Sequence, residues 1–295
     1  MSNNSSVIKS WVLASRPKTL FAAISPVLTG SALAFADEVF SFIPALVALI
    51  CSILIQIATN FVNDLYDFLK GTDNEKRVGP ERALASGLIS PDKMKKAIIF
   101  TFGLAFILGL FLVYKAGWPI LIVGIISIIS GYAYTAGPLP LAYNGLGDIF
   151  VFVFFGIVAT VGTYFVQAVE LTNTAFLVAI PSGALITNIL VVNNYRDAET
   201  DKLSNKKTLA VIFGKAFTRI QYVVLILISY FIPFLLYMEH DFNMSILLPF
   251  ATFPMAIKLV KMIYFLQGSS LNKTLELSAK FSFIFSVLFS IGIIL

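Results

Sequence analysis

The sequence predicts an all-α integral membrane protein of nine spans, and three observations carry that reading. Of its 295 residues, 58% are hydrophobic and only 13% are charged, whereas a soluble domain carries roughly 25% charged residues. Apolar stretches of about 18–24 residues recur along the chain, the length a helix needs to cross ~30 Å of hydrocarbon. Lys and Arg fall almost wholly on one side of those stretches. So little charge cannot coat a water-facing surface of this size. That excludes a soluble enzyme, a disordered chain and a nucleic-acid binder.

The spans fall, in order, at 17–36, 41–64, 94–114, 117–135, 146–168, 173–194, 217–237, 244–266 and 276–295. The first carries Pro26 and Gly30, tolerated in a membrane helix when neighbours re-satisfy the backbone. Breaks fall at Asp37-Glu38, Gly79-Pro80, Pro138-Leu139-Pro140 and Glu239-His240-Asp241. Ahead of the first span, Val7, Ile8, Trp11 and Val12 share a helical face, which predicts a short interfacial helix within 1–16. Met1–Ser10 is polar and the first span long, so no cleavable signal peptide is expected. The chain reads as a single polytopic domain, 1–295.

With nine spans, one side receives the N-terminus and four loops, and twenty of the 21 Lys and Arg lie there. The other side keeps Lys115 beside Asp37, Glu38, Glu170, Glu239 and Asp241. The positive-inside rule then places the N-terminus in the cytoplasm and the C-terminus on the opposite side of the cell membrane, an inner membrane where there are two. An even number of spans would break the pattern.

A lone Cys51 and a lone His240 exclude a disulfide framework, a Cys-based zinc site and an imidazole metal site. Any metal must be held by oxygen. Two acidic rows offer it. Asn60, Asp64 and Asp67 fall at i, i+4, i+7 where the second span ends, with Asn63 beside them and Asp73 beyond; Asn193, Asp197 and Asp201 fall at i, i+4, i+8 where the sixth ends. A carboxylate at membrane depth costs about 2.5–3.5 kcal/mol, and two like-charged rows repel. A divalent cation relieves both penalties. Mg2+ takes one or two protein carboxylates and completes its shell with water and phosphate oxygens, so the rows suit a Mg2+-bridged diphosphate. Lys76, Arg77 and Arg82 follow the first row, and Lys206 and Lys207 the second. They suit a polyanion, and they also obey the positive-inside rule.

The stretch Gly131–Asp148 carries no Lys or Arg although it lies on the basic side. Rich in Tyr, Gly and Pro, it reads as a lid or pocket wall over an apolar substrate.

Together these residues resemble the UbiA superfamily of intramembrane aromatic prenyltransferases, and within it the branch acting on 1,4-dihydroxy-2-naphthoate in menaquinone biosynthesis. The resemblance rests on four stretches in order: Arg16-Pro17-Lys18-Thr19-Leu20; Asn60 to Asp73 with Arg77-Val78-Gly79-Pro80-Glu81-Arg82; Tyr134 to Asp148; and Asn193-Asn194-Tyr195-Arg196-Asp197 to Asp201 with Lys206-Lys207. Gly71 stands where the superfamily usually has a third carboxylate, which comes instead at Asp73, as is usual in the naphthoate branch. Asn205 and Lys207 stand where Gly and Arg are commoner, and Ala136 replaces a frequent Gly.

The resemblance implies a nine-helix bundle around a central cavity open to cytoplasm and membrane. Asp64, Asp67, Asp73, Asp197 and Asp201 would be the metal ligands, with Asp64, Asp67, Asp197 and Asp201 catalytic and Mg2+ the cofactor. Asn60, Asn63, Arg77, Arg82, Asn193, Arg196, Lys206 and Lys207 would hold the diphosphate of a polyprenyl diphosphate whose tail leaves sideways to the lipid bilayer. Tyr132, Tyr134 and Phe61 would face an allylic cation, Arg16 or Lys18 the carboxylate of 1,4-dihydroxy-2-naphthoate, and Asp148 its hydroxyl. No nucleic-acid or protein partner is expected. The competing readings are a prenyltransferase for 4-hydroxybenzoate or homogentisate, and a transporter.

Overall fold

The computed structural model describes residues 2–72, 79, 82–239 and 242–295, without the side chains of residues 2–6 and Lys18. Among these residues no strand occurs, and every apolar stretch read from the sequence is helical. Helix α1 is Ser2–Ser15, α2 Pro17–Ala36, α3 Phe42–Leu69, α4 Pro91–Ala116 and α5 Trp118–Ala133. Helices α6 (Gly147–Val151) and α7 (Ala159–Ala168) are joined by a π-helical segment, Phe152–Val158. Next come α8 (Asn173–Leu203) and α9 (Leu209–Glu239), the latter interrupted at Gly214, whose φ of 80° and ψ of 175° are not helical, then a 3-10 segment, Met244–Thr252, leading into α10 (Phe253–Phe265), and finally α11 (Leu271–Ile294).

Eight segments among the described residues are long and apolar enough to cross a membrane, and α5 is a shorter apolar helix. At 1.5 Å per residue, its 16 residues reach roughly 24 Å. Gly117 alone separates it from α4, at φ 84°. That left-handed conformation suits glycine and turns the chain back in one residue.

Helices α3 and α8 overrun the hydrocarbon: their 28 and 31 residues reach about 42 and 46 Å. The surplus turns carry the acidic rows beyond the apolar region. Thr172 caps the start of α8, its Oγ1 accepting from the Ala175 N–H at 3.1 Å.

Among the described residues the bundle has two large apolar cores and a small third one at Leu112, Ala116 and Val166. One large core joins α2, α7, α8, α9, α10 and α11, and the other joins α1, α3, α4 and the 83–89 turn. In the first, buried Ser278, Ser282, Ser286 and Ser290 recur every fourth residue of α11, small enough to let helix backbones approach. Gly156 and Gly183 serve the same end where the π-helical segment crosses α8, since a Cβ on Gly156 would lie 2.8 Å from Gly183 Cα. Cys51 is a buried thiol donating to the Ala105 carbonyl at 3.5 Å. Phe61 also belongs to a core, edge-on to Trp11 at 5.5 Å, and is not among the residues lining the bundle's cavity.

Candidate active site

Between the cores lies a cavity of about 870 Å3, lined by α2, α3, α4, α5, the Gly147–Ala168 helix and α8. Its polar end collects Asn60, Asn63 and Asp67 from α3 and Asn193, Asn194 and Arg196 from α8. The two acidic motifs, more than 120 residues apart in sequence, thus meet across one hollow.

On the α3 side, buried Asn60 donates to the Ser15 carbonyl at 2.9 Å and so ties α3 to the α1–α2 junction. Asn63 Oδ1 accepts from the Thr135 hydroxyl. Asp67 takes the Tyr143 hydroxyl on one oxygen at 2.8 Å and faces the Arg82 guanidinium at 3.7 Å with the other. Asp64 is 1% exposed, one turn deeper.

On the α8 side the buried Arg196 guanidinium organises its neighbours. It grips both Asp197 oxygens at 2.6 and 2.7 Å, donates to Asn193 Oδ1 at 2.8 Å, and reaches Asn272 of α11 at 2.7 Å. Planar, bidentate pairing is the geometry arginine provides and lysine does not. Asp201 pairs with Lys206 Nζ at 3.3 Å.

Tyr143 joins the two halves. Lys70 Nζ sits 4.0 Å from its ring centroid and Lys206 Nζ at 5.7 Å, both within cation–π range. Lys70 also donates to the Thr135 carbonyl at 2.6 Å. The Lys207 N–H donates to the Tyr143 carbonyl at 3.0 Å, which fastens the middle loop to the strip after α8. Burial pushes the Tyr143 hydroxyl well above its usual pKa, with Asp67 and Asp201 adding to it, so it stays protonated and donates. Burial works to lower the Lys206 pKa, yet Asp201, Asp67 and Asp197 outweigh it and the net shift is upward. Lys206 is therefore a firm cation that feels carboxylates of both motifs. The Lys70 ammonium moves down, through burial first, with Lys206 adding to it against the opposing pull of Asp67.

The family model for the UbiA prenyltransferase family matches residues 23–286. The chain belongs to that family. A 1,4-dihydroxy-2-naphthoate octaprenyltransferase from Haemophilus influenzae is 33% identical, with 98% of this chain and 96% of that one aligned. An Escherichia coli protein of the same name is 40% identical over 72% of this chain and 70% of its own. Human UbiA prenyltransferase domain-containing protein 1 is 30% identical over 97% and 83%. A solved UbiA homolog from Archaeoglobus fulgidus, bound to GPP and Mg2+, superposes with a TM-score of 0.68 at 17% identity, covering 97% of this chain and 99% of that one. At that identity the likeness speaks for the fold. As a UbiA-family member the chain is a prenyltransferase of the membrane.

The residues singled out from the sequence divide within this UbiA fold. Asn60, Asn63, Asp67, Arg82, Asn193, Arg196, Lys206, Arg16, Tyr134 and Asp148 all line the cavity. Asp148 is buried and accepts from Gln221 Nε2 at 3.0 Å. Asp64, Asp197 and Asp201 are not among the lining residues, although Asp64 and Asp197 each lie one helical turn from a lining asparagine, Asn60 and Asn193. Lys207 contributes its backbone, its side chain being exposed. Tyr132 is 41% exposed and its hydroxyl meets that of Tyr66, on a separate surface groove rather than in the cavity. Asp73, Arg77, Lys76 and the Lys18 side chain lie outside the described residues.

Whether Mg2+ suits these residues can be judged from their donors. Among the described residues no three His, Cys, Asp or Glu form a ready-made cage. The donors are carboxylate and amide oxygens from two helices, the hard set Mg2+ takes when substrate phosphate and water complete its shell. Asp201 Oδ2 is buried without a hydrogen-bond partner among the described residues, a costly arrangement that a bound cation relieves. The residues fit the ion.

Sequence reasoning passed over Tyr143, Lys70 and Gln221. Their only signal was indirect: a chargeless loop, a loop lysine three residues after Asp67, and a Gln inside a span. Removing the Tyr143 hydroxyl with Tyr143→Phe keeps the ring for Lys70 but strips Asp67 of a donor. Initial rates should fall roughly 10- to 100-fold, about 1.5–3 kcal/mol, with unfolding in detergent unchanged. Wild-type rates would remove the hydroxyl from the site.

Proposed function

We propose that this chain transfers the polyprenyl group of a polyprenyl diphosphate to 1,4-dihydroxy-2-naphthoate with loss of CO2, the step that gives demethylmenaquinol in menaquinone biosynthesis. The observation that carries it is that Asn60, Asn63 and Asp67 of the first motif and Asn193 and Arg196 of the second line one cavity whose remaining walls are largely apolar. Near full-length similarity to a named naphthoate octaprenyltransferase supports the choice of acceptor. The prenyl carbon takes the place of the ring carboxyl, the donor C–O bond breaks, and diphosphate and CO2 leave.

Mg2+, when bound, supplies Lewis-acid stabilisation of the departing diphosphate. Asp67, Asp197 and Asp201, with Asp64 one turn deeper, are the residues that would hold it. Asn63 and Asn193, whose oxygens accept from Thr135 and Arg196, would turn their amide N–H groups to phosphate oxygens, while Asn60, its N–H groups held by Ser15 and Thr19, would offer only its oxygen to the ion. Arg82, Arg196 and Lys206 balance charge that the ion leaves over. The apolar walls exclude water, so that an electron-poor allylic carbon meets the acceptor ring before it meets solvent. Tyr134, on the lining, offers it an electron-rich face. Arg16, on the lining, would face the acceptor's carboxylate, and Asp148, which accepts from Gln221, would meet a ring hydroxyl.

For topology, we read α5 as a ninth span, which keeps the acidic rows and the N-terminus on the cytoplasmic side with the basic loops. Purified protein in detergent or nanodiscs, supplied with Mg2+ and a long polyprenyl diphosphate, should form prenylated product from dihydroxynaphthoate and far less from 4-hydroxybenzoate or homogentisate. Product only from either of the latter moves the enzyme to another branch. Flux of substrate across vesicles without product favours a transporter.

A further inference from the structure

Outside the cavity, Arg219 of α9 meets α8 and α10. Its guanidinium carbon lies 5.5 Å from the ring centroid of Tyr195 on α8 and 5.3 Å from that of Tyr264 on α10. Two aromatic rings from different helices thus hold it by cation–π attraction. None of the three residues lines the cavity. Tyr195 stands between Asn193 and Asp197 in the chain, which sets this cation at the level of the second acidic row. Arg219 Nη2 donates to the Tyr264 carbonyl at 3.2 Å, and its Nε is buried without a hydrogen-bond partner among the described residues.

What the guanidinium lacks is an anion. Arg82, Arg196 and Lys206 each face a carboxylate, and Lys215, one turn before Arg219, takes Glu199 at 3.0 Å. Arg219 has no such partner among the described residues. A cation at the edge of hydrocarbon is costly without a counter-charge. The two rings orient it but do not neutralise it.

The surroundings decide which anion fits. On α9, Ile220, Val224 and Leu227 fall at i, i+4, i+7 and are exposed. On α10, Phe253, Ile257, Lys261 and Tyr264 fall at i, i+4, i+8, i+11, again exposed. Both helices are long and apolar enough to cross a membrane as parts of their spans, so these faces meet lipid. Away from Arg219 and Lys261, each stripe is apolar. The two cations therefore head a pair of apolar tracks on adjoining helices.

We propose that this cleft binds an anionic phospholipid, with its phosphate against Arg219 and Lys261 and its acyl chains along the two stripes. Basic pockets between membrane helices take anionic headgroups in this way. The phosphate supplies the missing counter-charge, and the chains distinguish a lipid from a free anion. Tyr195 adjoins Arg196, which holds Asp197 and Asn193. A lipid fixed on Arg219 therefore braces the turn of α8 that bears the second acidic row, and its binding reads out as stability.

The test titrates the purified protein in an uncharged detergent with dioleoyl phosphatidylglycerol, dioleoyl phosphatidylcholine or inorganic phosphate. Apparent dissociation constants come from the rise in unfolding temperature. Wild type should bind phosphatidylglycerol roughly fivefold tighter than phosphatidylcholine, or better, and phosphate should protect far less. Arg219→Gln should lose about fivefold for phosphatidylglycerol, and Lys261→Gln about twofold to threefold, with phosphatidylcholine unchanged in both. Lys93→Gln, which removes an exposed lysine of α4 on the same side of the bundle, should match wild type. Lys261 is exposed and has no ion pair among the described residues, so its variant carries the test should Arg219→Gln fail to fold. Equal affinity of wild type for the two lipids, unchanged phosphatidylglycerol binding in the folded variants, or an equal loss in Lys93→Gln overturns the proposal. So does phosphate that protects as well as the lipid, which makes this a site for free anions.

Discussion

Excess EDTA is expected to abolish prenyl transfer, and Mg2+ added back to restore it, while the unfolding temperature stays where it was. The loss follows from charge. A diphosphate arriving beside Asp67, Asp197 and Asp201 adds a polyanion to a site already acidic, and the cations present are committed: Arg82 to Asp67, Arg196 to Asp197, Lys206 to Asp201. A divalent ion is what converts repulsion into a bridge. The unchanged stability follows from the same pairs. Each of these three carboxylates has a basic partner within 3.7 Å, so the fold does not lean on metal as a structural zinc site does. Turnover that persists after chelation rejects the metal role. Unfolding on chelation would mean that the ion, and not the ion pairs, holds the two halves together.

Much of this molecule was legible before any coordinates. Hydropathy located each helix because lipid leaves the backbone no alternative to helix, so composition and length decide. The two Asn-x-x-x-Asp rows were legible for a similar reason: carboxylates are too costly near hydrocarbon to be incidental. Helix ends were less so. The span read as 217–237 is preceded by a short apolar turn that starts at Leu209 and is set off by Gly214, whose φ of 80° is not helical, and hydropathy does not register such a break. The π-helical segment Phe152–Val158, which packs closely against Gly183 of α8, leaves no trace in its apolar sequence. Orientation around a helix axis was the least accessible. Tyr132 and Tyr134, two apart, face different hollows, and only packing decides which of them meets the cavity. Tyr143 was hidden because its value comes from Asp67 and Lys70 at the end of α3 and from Lys206 after α8, partners that only the fold brings to it.

The acids should not respond alike to substitution. Asp67→Asn is expected to lower kcat/KM by roughly 10²–10³, about 3–4 kcal/mol, with unfolding close to wild type. Asn still accepts from the Tyr143 hydroxyl, and its Arg82 contact is loose at 3.7 Å. What disappears is the negative charge offered to the cation. Asp197→Asn should cost comparable rate and stability as well. The Arg196 side chain is 1% exposed and gives Asp197 two hydrogen bonds; an amide accepts one and confronts the other with N–H. A buried guanidinium robbed of its counter-charge is strongly destabilising, by up to about 3–5 kcal/mol when the partner is lost outright. Because the same guanidinium holds Asn193 and Asn272, the disturbance passes to the donor-binding amide and to the α8–α11 packing. Thermal unfolding in detergent beside single-turnover rates separates the two effects. Equal unfolding temperatures for the two variants would show that Arg196 is held by the rest of its network. A wild-type rate in either would take that carboxylate out of the metal site.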